Sequence, residues 1–268
     1  MVSILQGGAN KETLRIFALA PSMREHNVNK GLSPPVSENN LIHTMARADR
    51  NLIEPHLTPV KMDKGMVVEE RLEPIRHVYF PRSGVGSTVA MVQNGRPIEV
   101  GLFGNEGMSG TAIVMQSEYS SQKTFMQIPG DGWSIDAERL RDLLGQSTSL
   151  QRHFLRYVQS LMTQVSHTAL SNGHAKLEER LARWLLMCHD RIKSDKMSLT
   201  HEFMSIMLGV RRAGVTVGIH ILEGKGMIRA YRGQIIILDR KGLESEAHGS
   251  YGAAEAEYAR LIGFDRPD

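Results

Sequence analysis

The stretch LTHEFMSIMLGVRRAGVTVGIHILEGKGMI, residues 199–228, leaves the backbone few choices. Thr200 is suited to cap a helix running through Glu202, Phe203, Met204 and Met207, since its hydroxyl can accept from the free amides of a first turn. Gly209 breaks that helix where a corner needs a left-handed backbone, and Val210 can plug the corner. A second helix is expected from about Arg211 to Glu223, with Val215, Ile219 and Leu222 on one face. Ser205, four residues before the glycine, is small enough for the second helix to cross the first there. Two short helices joined in this way make a helix-turn-helix. Gly224-Lys225-Gly226 ends the second helix. Ile228–Tyr231 and Gln234–Leu238 then alternate as two strands around Arg232-Gly233, which is a β-hairpin wing.

The positive charge of the chain collects in the same place. The formal net charge is only +3, and residues 201–240 alone carry that excess: Arg211, Arg212, Lys225, Arg229, Arg232 and Arg240 against Glu202, Glu223 and Asp239. Arg211 and Arg212 fall in the first turn of the second helix, where the macrodipole disfavours each cation by about 0.3–1 kcal/mol. A helix end that tolerates two arginines is suited to a polyanion, because phosphate is drawn both to the free amides and to the guanidiniums. Arginine can also bond guanine in a major groove. The candidate DNA contacts are therefore Arg211, Arg212, Thr216, His220, Thr200 and Arg232. The plainer alternative is a solvated arginine pair, and Thr216 and His220 taken singly fit a solvated surface equally well. Tyr231 reads as wing packing.

Upstream, the pattern changes twice. Residues 1–45 read as an extension with a weak helix around Thr13–Leu19, followed by the turn-rich NVNKGLSPPVSENN, and a short helical stretch covers Leu52 to about Leu57. From about Val60 to Ile135 the chain reads as short strands, among them RHVYFP (76–81), GSTVAMVQ (86–93), RPIEVGLF (96–103) and KTFMQI (123–128). Asn94-Gly95 is a strong hairpin signal between two of them. Strands spaced this way suggest an antiparallel sandwich or barrel. From Asp136 the period becomes helical: a short helix to Leu144, then a long one. Phe154, Val158, Leu161, Val165 and Thr168 are spaced 4, 3, 4, 3, and Asn172 extends the series. Such a stripe is either the seam of a self-association, with Asn172 setting register, or a face packed on the chain's own β region; the strict alternation favours the seam. A further helix over Ala175–Asp190 would turn Leu177, Leu181 and Leu185 inward and Glu178, Glu179, Arg180 and Arg183 outward.

In that order, β region, long helix and winged helix-turn-helix, the chain resembles the Crp/Fnr family of bacterial transcription regulators over about residues 48–244. The helix-turn-helix stretch quoted above resembles the family's DNA-binding motif, and EPIRHVYFPRSGVGSTVAMVQNGRPIEVGLFGNEGMSG resembles the cyclic-nucleotide-binding-like β-roll of its divergent members. The resemblance implies an α+β chain: an antiparallel double-stranded β-helix (jelly roll) sensor domain, a long dimerisation helix and a C-terminal winged helix-turn-helix. The expected units are 1–47, a flexible extension; 48–148, the β-roll; 149–173, the dimerisation helix with Phe154, Val158, Leu161, Val165 and Asn172; 174–244, the DNA-binding domain; and 245–268, a tail with a helix at Ala253–Ile262. The implied partners are double-stranded DNA, a second copy of the chain and RNA polymerase. Arg211, Arg212 and Thr216 inherit the reading role by position. The family's acidic and second basic reader positions are Ala213 and Val217 here, so its operators cannot be carried over.

The sensor region departs further. A nucleotide-binding member offers a Gly-Glu pair to the ribose and an Arg-Ser pair to the cyclic phosphate. Here the turns read GNEGMSG and YSSQKTF, with Glu106 before Gly107 and Lys123 as the nearest cation. Cyclic AMP is not expected, nor any other cofactor or metal, and the effector is left open. One cysteine, Cys188, cannot form a disulfide or a cysteine cluster, and a lone His77 reads as structural rather than as a haem ligand. An enzyme is not expected: the His-x-His pair of cupins is absent, as are a nucleophile elbow, a Walker loop and a dinucleotide fingerprint. No window approaches the roughly 18 apolar residues of a membrane span, and without a signal-peptide core the expected place is the cytoplasm. The second reading is a sensor or scaffold of the same architecture that binds DNA without sequence preference, kept open by Ala213, Gly214 and Val217 in the reading helix.

Overall fold

The computed structural model describes residues 39–91, 95, 97–192 and 194–263. Strands β1 (Thr58–Met62), β2 (Val67–Glu69), β3 (His77–Pro81), β4 (Val85–Ala90), β5 (Ile98–Phe103), β6 (Lys123–Ile128) and β7 (Gly130–Asp136) form two antiparallel sheets, in the orders β1-β7-β3 and β2-β6-β4-β5. β4 and β5 pair antiparallel, with Ala90 opposite Ile98, one residue off the register that a two-residue turn at Asn94-Gly95 would set; Asn94 itself lies outside the described residues. Two strands escape a reading by alternation. In β1 a proline, Pro59, sits on an edge strand. In β7 the glycines look like turn residues, yet a Cβ on Gly132 would come within 2.3 Å of the Phe80 carbonyl oxygen. The backbones approach too closely there for any other residue.

Met62, Val68, Tyr79, Phe103 and Met126 point between the two sheets and fill the space there. Phe103 lies directly on Gly86, where an added Cβ would come 2.1 Å from its ring. The outer face of the second sheet, with Val85, Val89, Leu102 and Phe125, is packed into the core of the C-terminal half.

The expected extension is shorter than 1–47. Asn39 donates to the carbonyls of Pro81 (2.7 Å) and Gly107 (3.0 Å) and caps helix α1 (Asn40–His43) by accepting from Ile42 N. Leu41 and Ile42 are fully buried, so this segment belongs to the β unit. Its apolar pair is too short for a period to show, and only its partners 40 and more residues away hold it. The helix expected around Thr13–Leu19 lies outside the described residues. Helix α2 (Arg47–Ile53) and a 3-10 turn lead into β1, and α3 (Thr111–Val114) follows the GNEGMSG turn. Asp136 caps α4 (Ala137–Gln146) by accepting from Glu138 N and Arg139 N.

The long helix, α5, runs Thr148–His174. Its period is as expected, but two residues expected in a seam are buried within the chain itself. Phe154 and Val158 are buried in the core of the β unit, Leu161 and Val165 lie half-buried against Gly101 of β5, and Asn172 is exposed. The stripe left outward is one residue on: Leu155, Gln159, Met162, Ser166, Ala169 and Gly173, also spaced 4, 3, 4, 3, 4, with Leu170 beside it. Leu155, Met162 and Leu170 are 43%, 58% and 53% exposed. The physical reason is that α5 carries two apolar stripes, and the larger and more apolar one is taken by the chain's own core.

Helix α6 (Leu177–His189), α7 (His201–Met207), α8 (Arg212–Gly224) and the sheet β8-β10-β9, made from β8 (Lys196–Ser198), β9 (Ile228–Tyr231) and β10 (Gln234–Ile237), form the C-terminal unit with α9 (Arg240–Glu246). Arg183, expected outward on α6, is buried and donates to the carbonyls of Ser250 and Gln164. The chain after α9 returns to the β unit: α10 (Ala253–Ile262) lies along α5, Ile262 joins the core of Leu150 and Phe154, and Tyr258 donates to the Glu106 carbonyl at 2.7 Å.

Candidate nucleic-acid interface

The helix pair forms by local rules. Thr200 caps α7 by accepting from Phe203 N at 3.2 Å. Gly209 takes a φ of +63° in the corner, and Val210 N returns to the Ser205 carbonyl at 2.9 Å. The two helices meet at 104°, within the range of helix-turn-helix motifs. No single helix among the described residues is long and apolar enough to cross a membrane. Val215, Ile219 and Leu222 bury one side of α8 against α6 and the wing. Gly214 and Gly218 let α6 come close: a Cβ on Gly214 would stand 3.1 Å from Leu177 Cδ2, and one on Gly218 3.4 Å from Leu181 Cδ2. These contacts set which residues α8 turns outward.

Arg211 and Arg212, at the N-cap and first position of α8, are both exposed, and among the described residues neither side chain has a hydrogen-bond or ion-pair partner. His220 and Ala213 share that exposure, and Val217 is 58% exposed. Thr216 is placed differently. It is half-buried, and its hydroxyl lies 3.2 Å from the Arg212 carbonyl and 3.1 Å from His201 Nδ1, joining the two helices of the motif. Two of its three hydrogen-bonding sites are thus taken within the fold.

The wing brings the remaining candidates together. Arg232 and Gly233 have φ of +46° and +76°, the two left-handed positions that a two-residue type I′ hairpin requires. The Arg232 guanidinium lies over the Tyr231 ring at 5.0 Å, and Gly233 approaches Thr200. Two of the six basic residues counted in this segment serve the fold instead. Lys225 pairs with Glu246 at 2.6 Å, and Arg240 pairs with Asp190 at 2.8 Å and Glu244 at 3.0 Å. Arg211, Arg212, Arg229 and Arg232 remain outward. Of these pairs only Arg240 with Glu244, at i,i+4, is legible in sequence; Asp190, just past α6, and Glu246 are distant partners.

The motif is seated on the β unit through a buried carboxylate. Glu99 of β5 accepts from Trp184 Nε1 of α6 at 2.7 Å and from Ser87 Oγ at 2.5 Å. Complete burial pushes its carboxyl up to about 7, against the opposing pull of those two hydrogen bonds and of the nearby Arg191 and Arg183 charges. Ile98, its neighbour, packs on the Gly209 corner, and Arg180 donates to the Leu208 carbonyl. Sequence reasoning missed Glu99; a lone acid inside an apolar strand, IEVGLF, is the signal that could have found it.

The corresponding groups of the β unit are tied to one another. Glu106 pairs with Arg191 at 2.7 Å and Lys123 with Glu70 at 2.6 Å. Gly110 N donates to Glu69 at 2.7 Å, Tyr79 N donates to Ser109 Oγ at 3.0 Å, and the Tyr157 hydroxyl covers Gly107. His77 is exposed at the start of β3.

Comparison with known proteins gives one consistent result. Residues 179–246 match the family model of the Crp-like helix-turn-helix domain. The chain is similar to the transcriptional regulator SdrP of Thermus thermophilus, 26% identical over 195 residues that cover 70% of this chain and 86% of the relative. Among solved structures it shares its fold with a Crp/Fnr-family transcriptional regulator from Eubacterium rectale (TM-score 0.62, 21% identity, 78% of this chain and 98% of that one). It shares it also with FixK2 from Bradyrhizobium japonicum (TM-score 0.59, 17% identity, 70% and 96%).

Proposed function

We propose that this chain is a transcription regulator of the Crp/Fnr type, which reads an inverted-repeat operator as a homodimer through its helix-turn-helix domain, without a cyclic nucleotide in its β-roll. The observation that carries the reading is the pair Arg211 and Arg212, exposed and without a side-chain partner among the described residues at the N-terminal end of α8. Arginine there can clamp phosphate or bond guanine bidentately. Thr200, which the wing approaches at Gly233, and Arg232 of the same wing would hold the backbone on one flank, since a capping hydroxyl still has its proton to donate. His220 lies about two turns further along the same open face.

The dimer is supported by the outward stripe of α5. Leu155, Met162 and Leu170 give it apolar contact, and Ser166, Ala169 and Gly173 let a second helix approach closely. Pairing through α5 would give two copies of α8 related by a two-fold axis, which calls for half-sites about one helical turn apart. The degenerate pocket is supported by the filling of the β-roll with Phe103, Met126 and Tyr79, and by the pairing of Glu106 and Lys123 with other side chains.

The test is selection of bound fragments from a genomic DNA library by the purified protein, followed by salt titration on the best fragment. The expected result is an inverted repeat, bound far more tightly than random DNA at the same salt. Binding that is equal for all fragments and lost with salt would favour the second reading, a regulator-shaped scaffold with Arg211 and Arg212 as unspecific clamps. The apolar Ala213 and Val217 on the open face of α8 are what speak for it.

A further inference from the structure

Those two apolar residues have a chemistry of their own. The glycine contacts with α6 and the buried Val215, Ile219 and Leu222 fix the roll of α8, so that positions 213, 217 and 220 form its outermost row. Val217, at the centre of the row, is 58% exposed, with Ala213 one turn before it and His220 after it. Water gains nothing from a branched apolar side chain, and no neighbour in the fold covers this one. A major groove, however, has one apolar feature on its floor, the C5-methyl group of thymine.

We propose that Val217, assisted by Ala213, reads thymine through its C5-methyl group, so that each half-site carries a required thymine beneath the middle of α8. The inference rests on α8 entering the major groove, as set out above. It replaces hydrogen-bonded reading at this position by apolar contact: the methyl leaves water against the Val217 side chain, while Arg212 on the preceding turn supplies the polar contact. 5-Methylcytosine carries the same methyl at the same place, with a donor where thymine has an acceptor. An apolar reader accepts either base.

The experiment uses the full-length protein and the best fragment from the selection. Each thymine of a half-site is replaced in turn by uracil, which keeps the base pair and removes only the methyl, and the dissociation constant is measured for the wild type and for Val217→Ser. At one position per half-site uracil should weaken wild-type binding about fourfold, the worth of one buried methyl group. Val217→Ser should bind the thymine fragment about that much more weakly and lose nothing further on uracil. At that position 5-methylcytosine should be bound better than cytosine by the wild type alone. Wild-type binding indifferent to uracil at every thymine overturns the inference and leaves the operator reading intact. So does an equal loss on uracil by both proteins. A library that yields no preferred fragment overturns both, because methyl reading is itself a sequence preference. Val217→Thr, which keeps one methyl on the branch, should retain part of the uracil discrimination if the contact is apolar.

Discussion

Arg183 and Arg191 lie between the two units of the molecule, and Arg211 and Arg212 stand on its surface a few turns of chain later. Most donors of the buried pair are met from within: those of Arg191 by Glu106 and the carbonyls of Met187 and Leu102, with Nε left over, and those of Arg183 by the carbonyls of Ser250 and Gln164. The exposed pair has no side-chain partner among the described residues. The difference follows from the cost of desolvation. A guanidinium is costly to bury unless most of its donors are met, whereas at the surface water meets them. One pair therefore joins domains, and the other stands in solvent.

That comparison is broken most sharply from the inside. Arg191→Ala leaves Glu106 in a site built for an ion pair, and should cost about 3–5 kcal/mol of stability, read from the denaturant midpoint. An unchanged midpoint would mean the interior pair is not structural. Next come the two stripes of α5. Leu155→Glu with Met162→Glu should yield folded monomers by sedimentation, where Val158→Glu should unfold the β unit; monomers from neither would return the seam to the chain's own packing. Arg212→Ala should leave stability within about 0.5 kcal/mol of the wild type. It should weaken operator binding by about 1–3 kcal/mol and relax preference at one base position. A uniform loss on specific and random DNA would make Arg212 a phosphate contact instead.

A smaller effect concerns Glu99. Its carboxyl holds a proton up to about pH 7 in the fold and only to the ordinary carboxylate range, near 4.5, when unfolded. Between those values the folded state binds more protons, so stability falls as pH rises, by about a kcal/mol per pH unit at most, and levels above 7. Glu99→Gln keeps both hydrogen bonds and should flatten that slope in unfolding measured from pH 5 to 7.5. The smallest effect is Arg232→Ala at the wing, which should lower the salt dependence of binding by about one counterion and leave sequence preference unchanged.

Most of the DNA-binding unit was legible in the chain alone, because its devices are local. A capping threonine, a glycine corner and an Arg-Gly type I′ turn each act within four residues, and the helix-turn-helix and its wing stand where those residues put them. The outward placement of Arg211, Arg212 and His220 follows from the same period. Contacts between distant segments were not legible. Asn39 is held by Pro81 and Gly107, Arg183 is buried by a segment 67 residues on, and α10 returns to a helix of the other unit. The seam of α5 shows why. Phe154 and Leu155 begin two stripes with the same spacing, one residue apart; composition favours hiding the first, but the chain alone does not say whether its own core or a second copy hides it. The period of a helix is a property of its backbone; which face it hides is a property of what stands beside it.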